Sequence, residues 1–254
     1  MSATFPFLQF ALDASAVDWF ARLSEGVYWE RVTKGREGAV LLARTPDGSA
    51  PIVRSTTKYR RPHQRFTSVH QDLLTAVAEH APGLCFNNAL IERYTSQYRT
   101  MGAHSDQALD LDDDSYICLY SCYSQPGVDT RLLVVTDKVS GEEQVLVLGH
   151  CTAVLFSVQD NARYRHRIVA EGISSNDCVW LGVTLRCSKT VVHYSDGKAH
   201  MEGQELILFP TKDDEREFYK QRGLENRCVC ASPYSAAVAS CTISPSDLMA
   251  PLED

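Results

Sequence analysis

The residues best able to do chemistry in this chain lie in "MGAHSDQALDLDDDSY" (101–116), where His104 stands two positions before Asp106. An imidazole and a carboxylate at that spacing can hold one cation only if both side chains leave the backbone on the same side. In a strand, residues i and i+2 share a face; in a helix they point about 200° apart. The motif is short, and a second copy, His70–Gln71–Asp72, occurs upstream. That copy falls in "SVHQDLLTAVAEH" (68–80), whose apolar spacing predicts a helix, so it fails the geometric test. His70 is therefore expected to be an ordinary helix-surface residue. His104 lies between two β-rich runs and passes.

Two protein ligands hold a divalent ion poorly, so a third is expected from a neighbouring strand. Two histidines and one carboxylate leave coordination positions open, which suits ferrous iron that must bind a co-substrate and oxygen together. Downstream stand His150, His166, His193 and His200. His150 opens a strand and reads equally as a packed turn residue, while His200 lies in a polar stretch without strand support. His166, in "NARYRHRIV", begins a β-rich run, and Arg186 ends "VWLGVTLR" one strand later. Taken alone His166 is as readily structural as ligating; in order with His104, Asp106 and Arg186 it is the favoured third ligand. An arginine turned inward beside a metal is what a dicarboxylate co-substrate needs.

These residues require a scaffold of strands. Val17, Phe20, Leu23 and Val27 predict an amphipathic helix within 13–30, ahead of the strand "AVLLAR" and the helix at 68–80. After "APG" the period changes. "CFNNALIERY", "YICLYSCY", "RLLVVTD", "QVLVLG", "TAVLFSV", "HRIVA" and "VWLGVTLR" are short β-rich runs between turn residues. Helices first and many strands afterwards predict an α+β fold with a jelly-roll core, not a parallel βαβ fold. Beyond Arg186, "TKDDEREFYKQRGLENR" reads as an exposed charged helix and the final residues as irregular.

The residues "FNNALIERYTSQYRTMGAHSDQ", with "PIVRSTTKY" before them and "VLGHCTAVLFSVQDNARYRHRIV" and "WLGVTLR" after, resemble the AlkB-like Fe(II)/2-oxoglutarate dioxygenases. The resemblance covers roughly residues 5 to 190 and nothing of the tail. It implies a double-stranded β-helix with flanking N-terminal helices, a domain over 1–190 and a C-terminal extension over 191–254. It implies that His104, Asp106 and His166 hold Fe(II), that Arg186 binds a carboxylate of 2-oxoglutarate, and that Tyr94 hydrogen-bonds this co-substrate. The activity implied is oxidation of a C–H bond with O2; on an N-alkyl carbon the hydroxylated product releases an aldehyde.

The chain departs from the family pattern in three respects. Trp180 replaces an arginine and Glu92 an asparagine, both of which normally help hold the distal carboxylate of 2-oxoglutarate. Gln107 and Ala108 replace the acid that nucleic-acid-repairing members place after His-x-Asp.

The net charge of −7 argues against a broad phosphate-gripping face. The segment "RSTTKYRRPHQR" (54–65) is nevertheless basic. Read as a lid, it offers Arg54, Lys58, Arg60 and Arg61 to phosphates and Tyr59 or Phe66 to a base, with Gln107 nearby. Read blandly, it is a solvated loop, as is the aspartate run after Asp106. The leading expectation is thus demethylation of an alkylated nucleobase in single-stranded nucleic acid or a nucleotide. Hydroxylation of a small molecule or protein side chain on the same fold is the alternative, and a non-catalytic binding module is a third reading. Nine cysteines without a CxxC pair indicate a reduced, intracellular setting, cytoplasmic or nuclear, and Cys228-x-Cys230 is read as idle thiols rather than zinc ligands. No membrane span or signal peptide is expected.

Overall fold

The computed structural model describes residues 5–13, 17–171, 178–229 and 234–253. Strand β1 (Leu8–Ala11) and helix α1 (Trp19–Ser24) precede a hairpin of β2 (Glu30–Thr33) and β3 (Arg36–Leu42). Short strands β4 (Ala50–Pro51) and β5 (Gln64–Arg65) frame the basic segment, and helix α2 (Ser68–His80) follows. Then come β6 (Asn88–Tyr94), β7 (Tyr116–Tyr123), β8 (Thr130–Asp137), β9 (Glu143–Leu148) and β10 (Thr152–Ser157). Helix α3 (Val158–Arg163), β11 (Tyr164–Glu171) and β12 (Trp180–Arg186) complete the core.

Two sheets face each other. The larger runs β1-β10-β7-β12-β6-β3-β2, and the smaller runs β11-β8-β9, its β11 edge extended by antiparallel bridges from Thr100 to Val169 and from His104 to His166. From β6 onward the chain alternates: large sheet, the 100–104 edge, β7 in the large sheet, β8 and β9 in the small one, then β10, β11 and β12 in turn. Antiparallel pairing with that alternation is a double-stranded β-helix, as the sequence led one to expect.

The period of two sorts the large sheet's side chains. Ala89, Ile91, Cys118, Tyr120, Cys122, Leu181, Val183 and Leu185 face outward under Trp19 and Leu23 of α1 and Leu73 and Val77 of α2. Each large aliphatic side chain so buried contributes about 1.5–3 kcal/mol. The inward residues Ile117, Leu119 and Trp180 meet Leu133, Val135 and Ile168 of the small sheet. The described cysteines are all free, and those at 118 and 122 serve as small apolar packing groups. Cys230 lies outside the described residues. No described helix is long and apolar enough to cross a membrane.

The first helix is shorter than its periodicity predicts. It ends at Ser24, and Gly26, at φ 72°, turns the chain toward β2. The segment after Arg186 is more ordered than expected. Strands β13 (Val191–Ser195) and β14 (Lys198–Met201) form a hairpin beside β4, with β15 (Gln204–Glu205) at its edge. His200, expected in an unsupported polar stretch, sits in β14 opposite His193. Next come β16 (Ile207–Leu208), helix α4 (Lys212–Arg227), the short helix α5 (Ala236–Ala239), β17 (Cys241–Thr242) and a 3-10 turn at Pro245–Leu248. Helix α4 is not simply an exposed charged helix: Phe218, Gln221, Arg222 and Glu225 make a buried face against the core.

Candidate metal centre and its pocket

His104, Asp106 and His166 each present a ligand atom, and these atoms lie within 4.8 Å of one another. Asp106 Oδ1 is 3.7 Å from His104 Nε2 and 3.6 Å from His166 Nε2. Ligands about 2.1 Å from a shared ion stand about 3.0–3.6 Å apart at angles of 90–120°, so the carboxylate is already near ligand spacing from each imidazole.

The chemistry of the donor set points the same way. His104 Nδ1 lies 2.8 Å from the carbonyl oxygen of Gly102 and must donate there, which assigns the tautomer and leaves Nε2 a lone pair aimed at the carboxylate. Burial and the neighbouring His166 push His104 down to about 4, so the ring is neutral at pH 7. Burial raises the Asp106 carboxyl, but Arg186 and His166 outweigh it and hold the group well below its ordinary range. A neutral imidazole and an ionised carboxylate turned toward one another in this way offer donors to a cation. Two imidazoles and one carboxylate with open positions on the cavity side suit Fe(II).

Backbone pairing brings the ligands together. His104 and His166 exchange both backbone hydrogen bonds, at 2.9 and 2.7 Å, and their rings lie 4.7 Å apart. Asn161 of α3 grips Asp106 at two points: its Oδ1 accepts from the Asp106 N–H at 2.7 Å and its Nδ2 donates to the Asp106 carbonyl at 2.8 Å. Ser105 Oγ donates to the Tyr164 carbonyl at 2.8 Å. Helix α4 closes the other side. Arg222 donates to the Ser105 carbonyl and pairs with Glu225, Asn226 accepts from the Ser105 N–H at 3.0 Å, and Glu225 accepts from the Ala108 N–H at 2.9 Å. None of these supports was legible beforehand; Asn161 and Arg222 are polar residues on helices, with no spacing rule tying them to position 105 or 106.

The three ligand positions line a cavity of about 390 Å³, large enough for a small ligand. Strand register orders its floor. Beyond Arg186, Thr184 lies between Leu90 and Leu119, and Gly182 between Glu92 and Ser121. Trp180 follows, with Tyr94 beside it and Arg36 across Tyr94 on β3. The Trp180 indole lies back over Gly182 and donates to Ser121 Oγ at 2.7 Å. A Cβ on Gly182 would come 2.1 Å from that ring, so only glycine permits this placement. Glu92 has both oxygens engaged, one with Arg36 Nε at 2.6 Å and one with the Tyr94 hydroxyl at 2.5 Å.

Several expected site residues are placed elsewhere. Tyr94 is fully buried, is not among the cavity-lining residues, and spends its hydroxyl on Glu92. It cannot hydrogen-bond a co-substrate without breaking that contact. Tyr59 and Phe66 are buried and cannot stack on a base. Lys58 is paired with Glu215 of α4. Arg60 and Arg61 are exposed and outside the cavity, their backbone N–H groups held by Glu30. Arg54 does reach the cavity wall, but it is a buried tie, paired with Asp110 at 2.6 Å and donating to the carbonyls of Ala239 and Cys241. Burial and pairing thus take up Arg54, Tyr59 and Phe66, and Lys58 is paired at the surface, while Arg60 and Arg61 stay exposed. Asp110 likewise leaves the solvated run, while Asp112, Asp113 and Asp114 remain exposed. Gln107 lines the cavity, with a buried Oε1 that has no hydrogen-bond partner among the described residues.

His70 is corrected too. It is 4% exposed, and its Nδ1 accepts the Thr67 N–H at 3.0 Å, closing the first turn of α2 in place of the usual glutamate. It stands far along the chain from the triad and shares no cavity with it.

Fold and site together define a jelly-roll protein with a His-x-Asp…His cluster able to hold a metal ion, set in the wall of a cavity. No protein-family model matches the chain, and no curated protein matches it by sequence. Among solved structures it is similar to OsALKBH1, with a TM-score of 0.48 at 14% identity over 73% of this chain and 100% of that one. It is also similar to an oxidoreductase of the 2OG-Fe(II) oxygenase family from Burkholderia pseudomallei, with a TM-score of 0.45 at 15% identity over 72% of this chain and 84% of that one.

Proposed function

We propose that this protein is a mononuclear Fe(II) oxygenase that hydroxylates a C–H bond with O2 and a 2-oxo acid. The observation that carries the reading is the convergence of His104 Nε2, Asp106 Oδ1 and His166 Nε2 on one point of the cavity wall. Bound Fe(II) supplies oxygen activation: one oxygen atom enters the substrate as hydroxyl, and the other converts the 2-oxo acid to CO2 and the next shorter carboxylic acid. The chain's own work is positional. Asn161 and the Gly102 carbonyl fix the carboxylate and one imidazole, and α4 shields the His-x-Asp loop from water. Arg186 stands with Nε 3.0 Å from Asp106 Oδ2, an ion contact whose angle is too poor for a hydrogen bond. It thus steadies the metal-binding carboxylate and leaves its guanidinium to receive a ligand carboxylate.

For the substrate, the compact-molecule or side-chain reading is favoured over an alkylated nucleic acid. The basic segment that motivated the nucleic-acid reading is buried or charge-paired at Arg54, Lys58, Tyr59, Arg65 and Phe66. What this segment offers the cavity besides Arg54 is the small polar run Ser55, Thr56 and Thr57.

The test is metal loading followed by turnover. Apo-protein titrated anaerobically with Fe(II) should bind one equivalent, and in air should consume O2 and a 2-oxo acid. Failure to bind Fe(II) or Co(II) with the fold intact overturns the oxygenase reading. Release of formaldehyde from methylated single-stranded oligonucleotides would restore the nucleic-acid substrate.

A further inference from the structure

The cavity offers a cation for one ligand carboxylate and none for a second. We propose that its co-substrate is a 2-oxo acid with a single carboxylate and an uncharged, largely apolar tail, and that Glu92 excludes the dicarboxylate 2-oxoglutarate. This inference rests on the oxygenase reading of the same site.

Four arginines line the cavity among the described residues: Arg36, Arg54, Arg186 and Arg222. Three are committed through hydrogen bonds to acids. Arg36 is tied to Glu92, Arg54 to Asp110 and two carbonyls, and Arg222 to Glu225 and the Ser105 carbonyl. The Arg186 guanidinium makes no hydrogen bond among the described residues, although Asp106 lies beside it. It is the group left to hold the carboxylate of a ligand seated at the metal.

A tail leaving the metal along β12 meets Thr184 between Leu90 and Leu119, at about 6–7 Å from the Arg186 position by strand rise. That wall is apolar apart from one hydroxyl. Further on, the tail meets Glu92, whose carboxylate belongs to the cavity wall, and the indole of Trp180. A second carboxylate that reached for Arg36 would come against Glu92, which lies 2.6 Å from the same guanidinium. Such like-charge juxtaposition in a part-buried site is strongly unfavourable. Arg131, the next cation behind this wall, does not help. It donates to the carbonyls of Tyr98 and Thr95, and the rings of Tyr94 and Trp180 stand 5.2 and 5.9 Å from it. It does not line the cavity.

The experiment uses the full chain loaded with Co(II), which does not turn over and whose visible d–d band reports metal binding directly. Calorimetry then compares 3-methyl-2-oxobutanoate with 2-oxoglutarate. The branched monocarboxylate is expected to bind at least about tenfold more tightly. Glu92→Gln is expected to raise the 2-oxoglutarate affinity by about tenfold or more while leaving the monocarboxylate nearly unchanged, because the substituted amide keeps an acceptor for Tyr94 and frees Arg36 of its counter-charge. The inference is overturned if unaltered protein prefers 2-oxoglutarate, if neither acid binds the metal-loaded protein, or if Glu92→Gln shifts neither affinity. The cobalt band separates these outcomes from failure of the metal site itself: without that band, it is the oxygenase reading that falls.

Discussion

The Asn161 side chain closes a two-point hydrogen bond on the backbone of Asp106, accepting from its N–H at 2.7 Å and donating to its carbonyl at 2.8 Å. A residue on one element thereby sets the direction of a metal-binding side chain on another, 55 positions away in sequence. Asn161→Ala removes both contacts and strands two buried backbone groups. It should lower metal affinity by about 10–100-fold and stability by about 1–3 kcal/mol, measured by Co(II) titration and urea unfolding.

The ligand substitutions separate by what each leaves behind. His104→Ala should abolish metal binding and turnover at a stability cost near about 1 kcal/mol, because the ring is partly exposed and its one hydrogen bond is local. Asp106→Asn should abolish both and cost more, about 3–5 kcal/mol, because Arg186 is then buried beside no counter-charge. Metal titration and thermal melts of the two variants check the difference.

Arg222 ties α4 to the metal loop through the Ser105 carbonyl and pairs with Glu225. Arg222→Met keeps most of the volume but leaves Glu225 with only neutral donors, Tyr234 and the Ala108 N–H. The melting temperature should fall by several degrees and metal affinity about tenfold. Unchanged metal affinity in a folded Arg222→Met variant would show that α4 covers the loop without positioning it.

Gly182→Ala drives a methyl into the Trp180 ring and should cost about 1–3 kcal/mol, with a red-shifted indole emission as Trp180 leaves Ser121. In Trp180→Ala the same glycine substitution should be nearly neutral. A double-mutant cycle by chemical denaturation measures the coupling, which should exceed about 1 kcal/mol.

His70 gives the protein a pH dependence remote from the site. Burial pushes its imidazole from the ordinary 6.5 down to about 4, so the unfolded chain takes up its proton first as the solution is acidified. The stabilisation is complete above about pH 6.5 and is lost as pH falls toward about 4, by up to about 3 kcal/mol. His70→Gln retains an acceptor for the Thr67 N–H without titrating. Urea unfolding at pH 7 and pH 5 should show a smaller difference in that variant than in the unaltered protein.

Much of this was legible in local patterns. The β-rich runs at 116–123, 131–137 and 179–186 predicted strands, which the structure forms at Tyr116–Tyr123, Thr130–Asp137 and Trp180–Arg186, and the helical period at 68–80 gave α2 its observed bounds. The choice of 104 over 70 followed from side-chain direction alone, because periods of 2 and 3.6 send i and i+2 to the same or opposite sides. Sequence misjudged His70 as exposed, since a capping role and burial under Phe66 depend on what packs against the helix start.

Tertiary structure alone decided which charges are spent. Nothing local in "RSTTKYRRPHQR" announces that Arg54 finds Asp110, that Lys58 finds Glu215 or that Tyr59 lies beneath the C-terminal segment. Nor does Glu92 announce Arg36, 56 positions before it, or Tyr94. A side chain's type and its strand parity are local properties and survive in the sequence. The partner that neutralises a charge or buries a ring is fixed by register and by how distant segments close over one another, and those exist only once the chain has folded.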